Sequence, residues 1–188
     1  ETWKYDGMSR IVYAEDDDSL VTGAYDSLFG LIEATLTIGT GPTRTLGAVF
    51  DGDRNRTWVR YPSDRGVATT FDALHRVKTI AATTLGRCNT NPIYRCATDD
   101  DCVPVGGFCL GSSTAPVATY NYFGPYRVER RDNGNGTKTS FTYDAARRIT
   151  RTKHEKISPL TTIDDRGYGW DPVYNMTSRT DQRVGGSF

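Results

Sequence analysis

Apolar and polar positions alternate along most of this chain. Trp3/Tyr5, Ala48/Phe50, Thr69/Phe71, Tyr120/Tyr122, Phe141/Tyr143 and Tyr168/Trp170 are pairs two residues apart, each with an aromatic as its second member. Residues two apart share one face of a strand. After each pair comes a short polar phrase, and then an apolar residue restarts the pattern: Ile11, Leu31, Val77, Val128, Ile149 and Met176, with Arg56 as the exception. Strand, turn and strand in that order predict β-hairpins. Gly, Pro and β-branched residues interrupt the chain too often for long helices. Further turns are predicted at 39–42, at 62–66 and at Asp132-Asn133-Gly134-Asn135-Gly136, where Asn-Gly accepts positive φ. The stretch Ser158-Pro159-Leu160 is expected to break a strand.

The polar phrase recurs. It begins as Tyr5-Asp6-Gly7-Met8-Ser9-Arg10-Ile11 and returns at Tyr25-Asp26, Phe50-Asp51, Phe71-Asp72, Tyr122-Phe123, Tyr143-Asp144 and Trp170-Asp171. The steps between the leading aromatics are 20, 25, 21, 51, 21 and 27 residues. About 20 residues is too short for a helical repeat and fits one hairpin with its return connection. The long step holds all four cysteines. The chain therefore reads as hairpin repeats over 1–85, a cysteine-stapled insertion over 86–116, and hairpin repeats again over 117–188.

Within the phrase each residue type has a task. The aromatic (Tyr5, Tyr25, Phe50, Phe71, Tyr122, Tyr143, Trp170) faces the sheet. The aspartate (Asp6, Asp26, Asp51, Asp72, Asp144, Asp171) opens a type I turn, where its carboxylate accepts backbone N–H groups. The phrase resembles the YD repeat of the Rhs/YD-repeat family, Tyr-Asp-x-x-Gly-Arg/Asn-Leu, over nearly the whole chain outside the cysteine segment. One departure is systematic: the family's glycine is replaced by Ser9, Phe29, Arg54, His75, Tyr126, Arg147 and Tyr174. Bulky residues are costly at positive φ, so a different turn geometry is expected here.

Composition narrows the picture. Hydrophobic content is 37% and mean hydropathy −0.54, which suits a large sheet with a wet face better than a globular α/β core. Lys+Arg and Asp+Glu balance at 23 each, so neither nucleic acid nor membrane insertion is expected. The start at Glu1 suggests a piece of something longer. Cys88, Cys96, Cys102 and Cys109 are spaced too widely for the close pairs of a zinc site. They read as two disulfides in one of three pairings, and they imply an oxidising compartment. The segment resembles small disulfide modules of bacterial secreted proteins.

Little here points to chemistry. His75 falls in a turn, and His154 reads as a solvated strand end. No nucleophile or phosphate-loop motif occurs. The acidic runs 15–18 and 99–101 read as turns, and Asp51–Asn55 fails as an EF-hand because Arg56 and Pro62 stand where Gly and Glu are needed. Asp171-Pro172 reads as turn chemistry, not a self-cleavage site. No enzyme activity, cofactor or metal is expected. Trp3, Trp58 and Trp170 are expected to belong to a ladder of stacked aromatics. The expected fold is all-β: tandem antiparallel hairpins in one long, curved or spiralling sheet. The resemblance implies a segment of an extracellular or cell-surface scaffold, bacterial, like the shells that encapsulate a toxin or other cargo. Its partners would be the rest of a parent chain, copies of itself, or that cargo. A fibre-forming or glycan-binding adhesin is the alternative.

Overall fold

The computed structural model describes residues 1–28, 30–63, 65–90, 95–96, 106–107, 109–110 and 113–183. Those residues are all strand, turn or loop. The strands are β1 (Thr2–Tyr5), β2 (Ile11–Glu15), β3 (Ser19–Tyr25), β4 (Leu31–Ile38), β5 (Arg44–Phe50), β6 (Arg56–Arg60), β7 (Arg65–Phe71) and β8 (Val77–Thr84). Three short strands follow: β9 (Gly86–Cys88), β10 (Arg95–Cys96) and β11 (Cys109–Leu110). The series then resumes as β12 (Ser113–Phe123), β13 (Arg127–Asn133), β14 (Thr137–Tyr143), β15 (Ile149–Lys156), β16 (Thr161–Trp170) and β17 (Met176–Asp181).

The hydrogen-bonded order of the 14-stranded sheet follows the sequence, from β1 through β8 to β12 and on to β17. Neighbouring strands pair antiparallel, as in β3–β4 and β14–β15. The sheet does not close, since β1 and β17 stand at its two ends. β10, β9 and β11 form a separate three-stranded sheet. The break expected at Ser158–Leu160 separates β15 from β16.

The chain divides into two compact units: residues 1–71 with 81–115, and 72–80 with 116–188. In the first, Val59, Leu85 and Cys88 are the buried apolar residues; in the second, Ala118 is. Thr83 in the first unit and Thr137, Glu155 and Asp165 in the second are buried polar groups. A single sheet layer has no second layer to cover its apolar side chains, and Trp3, Val21, Ile38 and Val49 stay exposed in the first unit, as do Ile163 and Met176 in the second.

The turns correct one expectation. They keep the geometry that glycine serves, without glycine. Ser9, Arg54, His75, Arg147 and Tyr174 have φ of 60°, 66°, 57°, 69° and 71°. Each of these residues donates its N–H to the carbonyl of the phrase's aspartate, at 2.8–3.3 Å. The register then slips by one residue at the aromatic, as between Lys4 and Tyr5 or Thr142 and Tyr143. This is a type I turn followed by a left-handed residue and a bulge. The left-handed residue costs about 1–2 kcal/mol without glycine, and the bonds made by the aspartate offset it. The irregular fifth copy, which lacks the aspartate, instead places a glycine, Gly124, at φ 62°.

Candidate functional site: the interlocked turns

Each phrase closes a hairpin, so within each unit the phrase turns lie at the same end of the strands. Each aspartate's carboxylate bonds within its own turn. Asp6 Oδ1 accepts the N–H of Met8 at 2.9 Å and of Arg10 at 3.0 Å, while Oδ2 meets Arg10 Nε at 2.6 Å. Asp72 and Asp144 repeat the pattern with Arg76 and Arg148. Asp51 and Asp171 use Asn55 and Asn175 at the same place, through Nδ2 at 3.0 and 2.8 Å. Among the described residues the Asp26 carboxylate has only backbone partners, Leu28 and Gly30.

These bonds favour the charged carboxylate. The Arg76 side chain and the turn N–H groups hold Asp72 down to about 2. Asp6, Asp144 and Asp171 are also lowered, the first two chiefly by backbone N–H bonds and the third by the Asn175 side chain. The Asp51–Asn55 stretch that resembles the start of a calcium loop is one of these turns, with Asp51 Oδ1 already accepting Asp53 and Asn55 N–H.

The arginine of the phrase also reaches the next hairpin. Arg10 Nη1 donates to the Asp26 carbonyl at 3.0 Å, and Arg148 Nη1 to the Asp171 carbonyl at 2.6 Å. Arg76 Nη1 donates to the Gly124 and Pro125 carbonyls, and Arg127 Nε to that of Arg147. The next hairpin answers. Tyr25 O–H donates to the Ile11 carbonyl at 3.2 Å, Tyr122 to Val77 at 2.6 Å and Tyr143 to Val128 at 2.7 Å; Trp170 Nε1–H donates to Ile149 at 2.7 Å. The guanidinium carbons of Arg10 and Arg76 lie 4.6 and 4.1 Å from the centres of the Tyr25 and Tyr122 rings, within cation–π range.

The sequence assigns the aromatics and aspartates their tasks. It does not reveal the arginine as the group between hairpins. A ladder of rings stacked on rings is expected, and among the described residues Phe123–Tyr143 is such a contact between hairpins, at 6.3 Å, while Tyr120–Tyr122 lies within one strand. The recurring partner of a ring is an arginine instead. Arginine at a fixed place after each aspartate is the signal that could have pointed there.

A second polar cluster escapes sequence reasoning because its members lie on different strands. Asp165, 3% exposed on β16, accepts Arg151 Nε and Nη2 from β15 at 2.7 and 2.6 Å. Buried Glu155 meets Lys153 at 2.7 Å and Lys138 at 3.5 Å. Arg151 and Lys153, respectively, hold these two carboxylates below their usual range. His154, expected in solvent, is half-buried with Nδ1 3.0 Å from Thr139 Oγ1. His75 is an exposed turn residue. Among the described residues no group of three or more His, Cys, Asp or Glu is placed to hold a metal ion.

Cys88 and Cys109 face each other in register across β9 and β11, and both are disulfide-bonded. The side chain of Cys96, and Cys102 and residues 99–101 altogether, lie outside the described residues.

No family model and no curated protein matches the chain. Its fold does match solved structures. The TcdB2-TccC3 crystal structure superposes with a TM-score of 0.70 at 13% identity, over 93% of this chain and 8% of that one. The Photorhabdus luminescens Tc holotoxin pore gives 0.68 at 14% identity, over 93% and 8%. The TcdB2-TccC3-Cdc42 structure gives 0.69 at 13%, over 92% and 8%. The chain thus spans under a tenth of each of these three chains. The likeness is one of fold, and it is the fold that the YD-type phrase implies: consecutive antiparallel hairpins laid into one long sheet.

Proposed function

We propose that the chain is a wall segment of a larger YD-repeat scaffold, extracellular or at a bacterial cell surface, that encloses a toxin or other cargo. One observation carries this reading: the sheet covers very little of itself. Among the described residues Val59, Leu85, Cys88 and Ala118 carry the only buried apolar side chains. Side chains such as Ile38, Leu160 and Val173 remain open to whatever lies against the sheet, as apolar surface does at interaction sites. The polar groups that are placed with care hold hairpin to hairpin, which is the work of a scaffold, so the reading is a non-enzymatic one. The disulfide-bonded Cys88 and Cys109 support an oxidising compartment, with the cysteine segment as a stapled loop.

Negative-stain imaging of the full parent chain tests this. A hollow particle is the expected result. A fibre would favour the filament or adhesin reading, and a small solid globule would overturn both.

A further inference from the structure

The seven phrases vary at two places, and the variations are coupled. Where a copy carries arginine at its sixth position, the next copy opens with an aromatic that can donate a hydrogen bond: Arg10 precedes Tyr25, Arg76 precedes Tyr122, Arg127 precedes Tyr143, and Arg148 precedes Trp170. Where the sixth position is Gly30 or Asn55, the next copy opens with Phe50 or Phe71, which cannot donate. All six successions obey the rule.

The geometry gives the reason. Each arginine binds the following turn and covers a ring of the following phrase, the leading tyrosine for Arg10, Arg76 and Arg127 and Tyr174 for Arg148, and the leading ring's O–H or N–H returns the bond to the carbonyl next to that arginine. Remove the arginine and the edge becomes apolar. A Cβ on Gly30 would lie 2.9 Å from the Phe50 ring, so the bare glycine is the seat of that phenyl group. Asparagine has no guanidinium to lay over the following ring, and Asn175 gives an Nδ2 N–H to Asp171 in its own turn.

We propose that this is a matching code between neighbouring hairpins. By it, the free edge of β1 takes a further YD-type hairpin whose phrase ends in arginine and an apolar residue. The inference rests on the reading of this chain as one segment of a longer array. Tyr5 is 58% exposed, opens its copy with a donor, and has no acceptor among the described residues. In the completed edge its O–H donates to the incoming apolar residue's carbonyl, and the incoming guanidinium covers its ring and donates to the Asp6 carbonyl. A second copy of this chain is the wrong occupant, because its last phrase carries Asn175; by the same rule that phrase selects a phenylalanine-led hairpin.

The test extends the full chain at Glu1 with a hairpin copied from residues 137–165, which includes the connection between β15 and β16 and the start of β16, so that Tyr5 takes the place Trp170 holds after Ile149. One version keeps the arginine equivalent to Arg148; the other carries Arg148→Asn in the added copy. Nitration of Tyr5 by tetranitromethane and amide exchange across β1 are followed by mass spectrometry. The arginine version is expected to slow both by roughly tenfold, the worth of one or two hydrogen bonds, and the asparagine version to leave Tyr5 nearly as reactive as in the unextended chain. With Tyr5→Phe in the original chain, the asparagine hairpin is expected to protect the β1 amides at least as well as the arginine one. Equal protection of Tyr5 by both versions, or none by either, overturns the code. Protection of Tyr5 that grows with concentration of the unextended chain makes a second copy the occupant and overturns it too. A hollow parent particle with equal protection sinks the code alone and leaves the wall reading standing.

Discussion

At the scale of the residue, the turns hold two opposing effects in balance. A non-glycine residue at positive φ costs about 1–2 kcal/mol, whereas glycine adds about 0.5–1 kcal/mol of chain entropy to be lost on folding. Ser9, at φ 60° and with no side-chain partner among the described residues, isolates the backbone effect. Ser9→Gly is expected to stabilise the chain by about 0.5–1 kcal/mol in urea unfolding; a neutral or destabilising result would show that the turn is not strained. The aspartates oppose that strain, and they make it depend on pH. Asp72 is held at about 2 by Arg76 and the turn amides. A carboxylate depressed in the folded state contributes its stability in full above the unfolded value of about 4, and loses it as pH falls through the folded one. The Leu74 and Arg76 amides, bonded to Asp72, are therefore expected to keep their exchange protection down to pH 3 and to lose it near about pH 2. Asp72→Asn should abolish that acid dependence. A carboxyl carbon titration of Asp72 by NMR with its midpoint near 4 would refute the assignment.

At the scale of the element, the hairpin is legible in the sequence and the joint between hairpins is not. Alternation marks the strands, and Asp with its following polar residues marks the turn, because both depend on neighbours in sequence. The missing glycine misleads, since a propensity for φ says nothing of the carboxylate that restrains the loop. Arg10 on Tyr25 and Arg151 on Asp165 join residues on different strands, and only the register brings them together. Two measurements address these joints. Tyr143→Phe removes the 2.7 Å bond to the Val128 carbonyl and is expected to cost about 1 kcal/mol in urea unfolding. A cycle of Arg10→Asn and Tyr25→Phe is expected to show coupling of order 1 kcal/mol, the double variant being more stable than the single effects sum to. Additive effects would mean that the guanidinium and the ring stand near one another without acting together.

At the scale of the whole molecule, stability follows from hairpins that each lean on the next, as in other repeat arrays. The end strands β1 and β17 each have one hydrogen-bonded neighbour, and exposed edges open most readily. Amide exchange is expected to be fastest in β1 and β17 and slowest in inner strands such as β3 and β15. A uniform profile would indicate that the sheet opens only as a whole. The succession of phrases also bears on how such a chain changes length over generations. If neighbours must match, hairpins are not interchangeable bricks. Loss of the second hairpin would set Arg10 against Phe50, a donor facing a ring that cannot answer. Loss of the fifth and sixth together would set Arg76 against Trp170, a pair of the type already present. Duplications and deletions would therefore survive in blocks whose two ends agree, and the array would carry in its own joints a grammar of permitted edits.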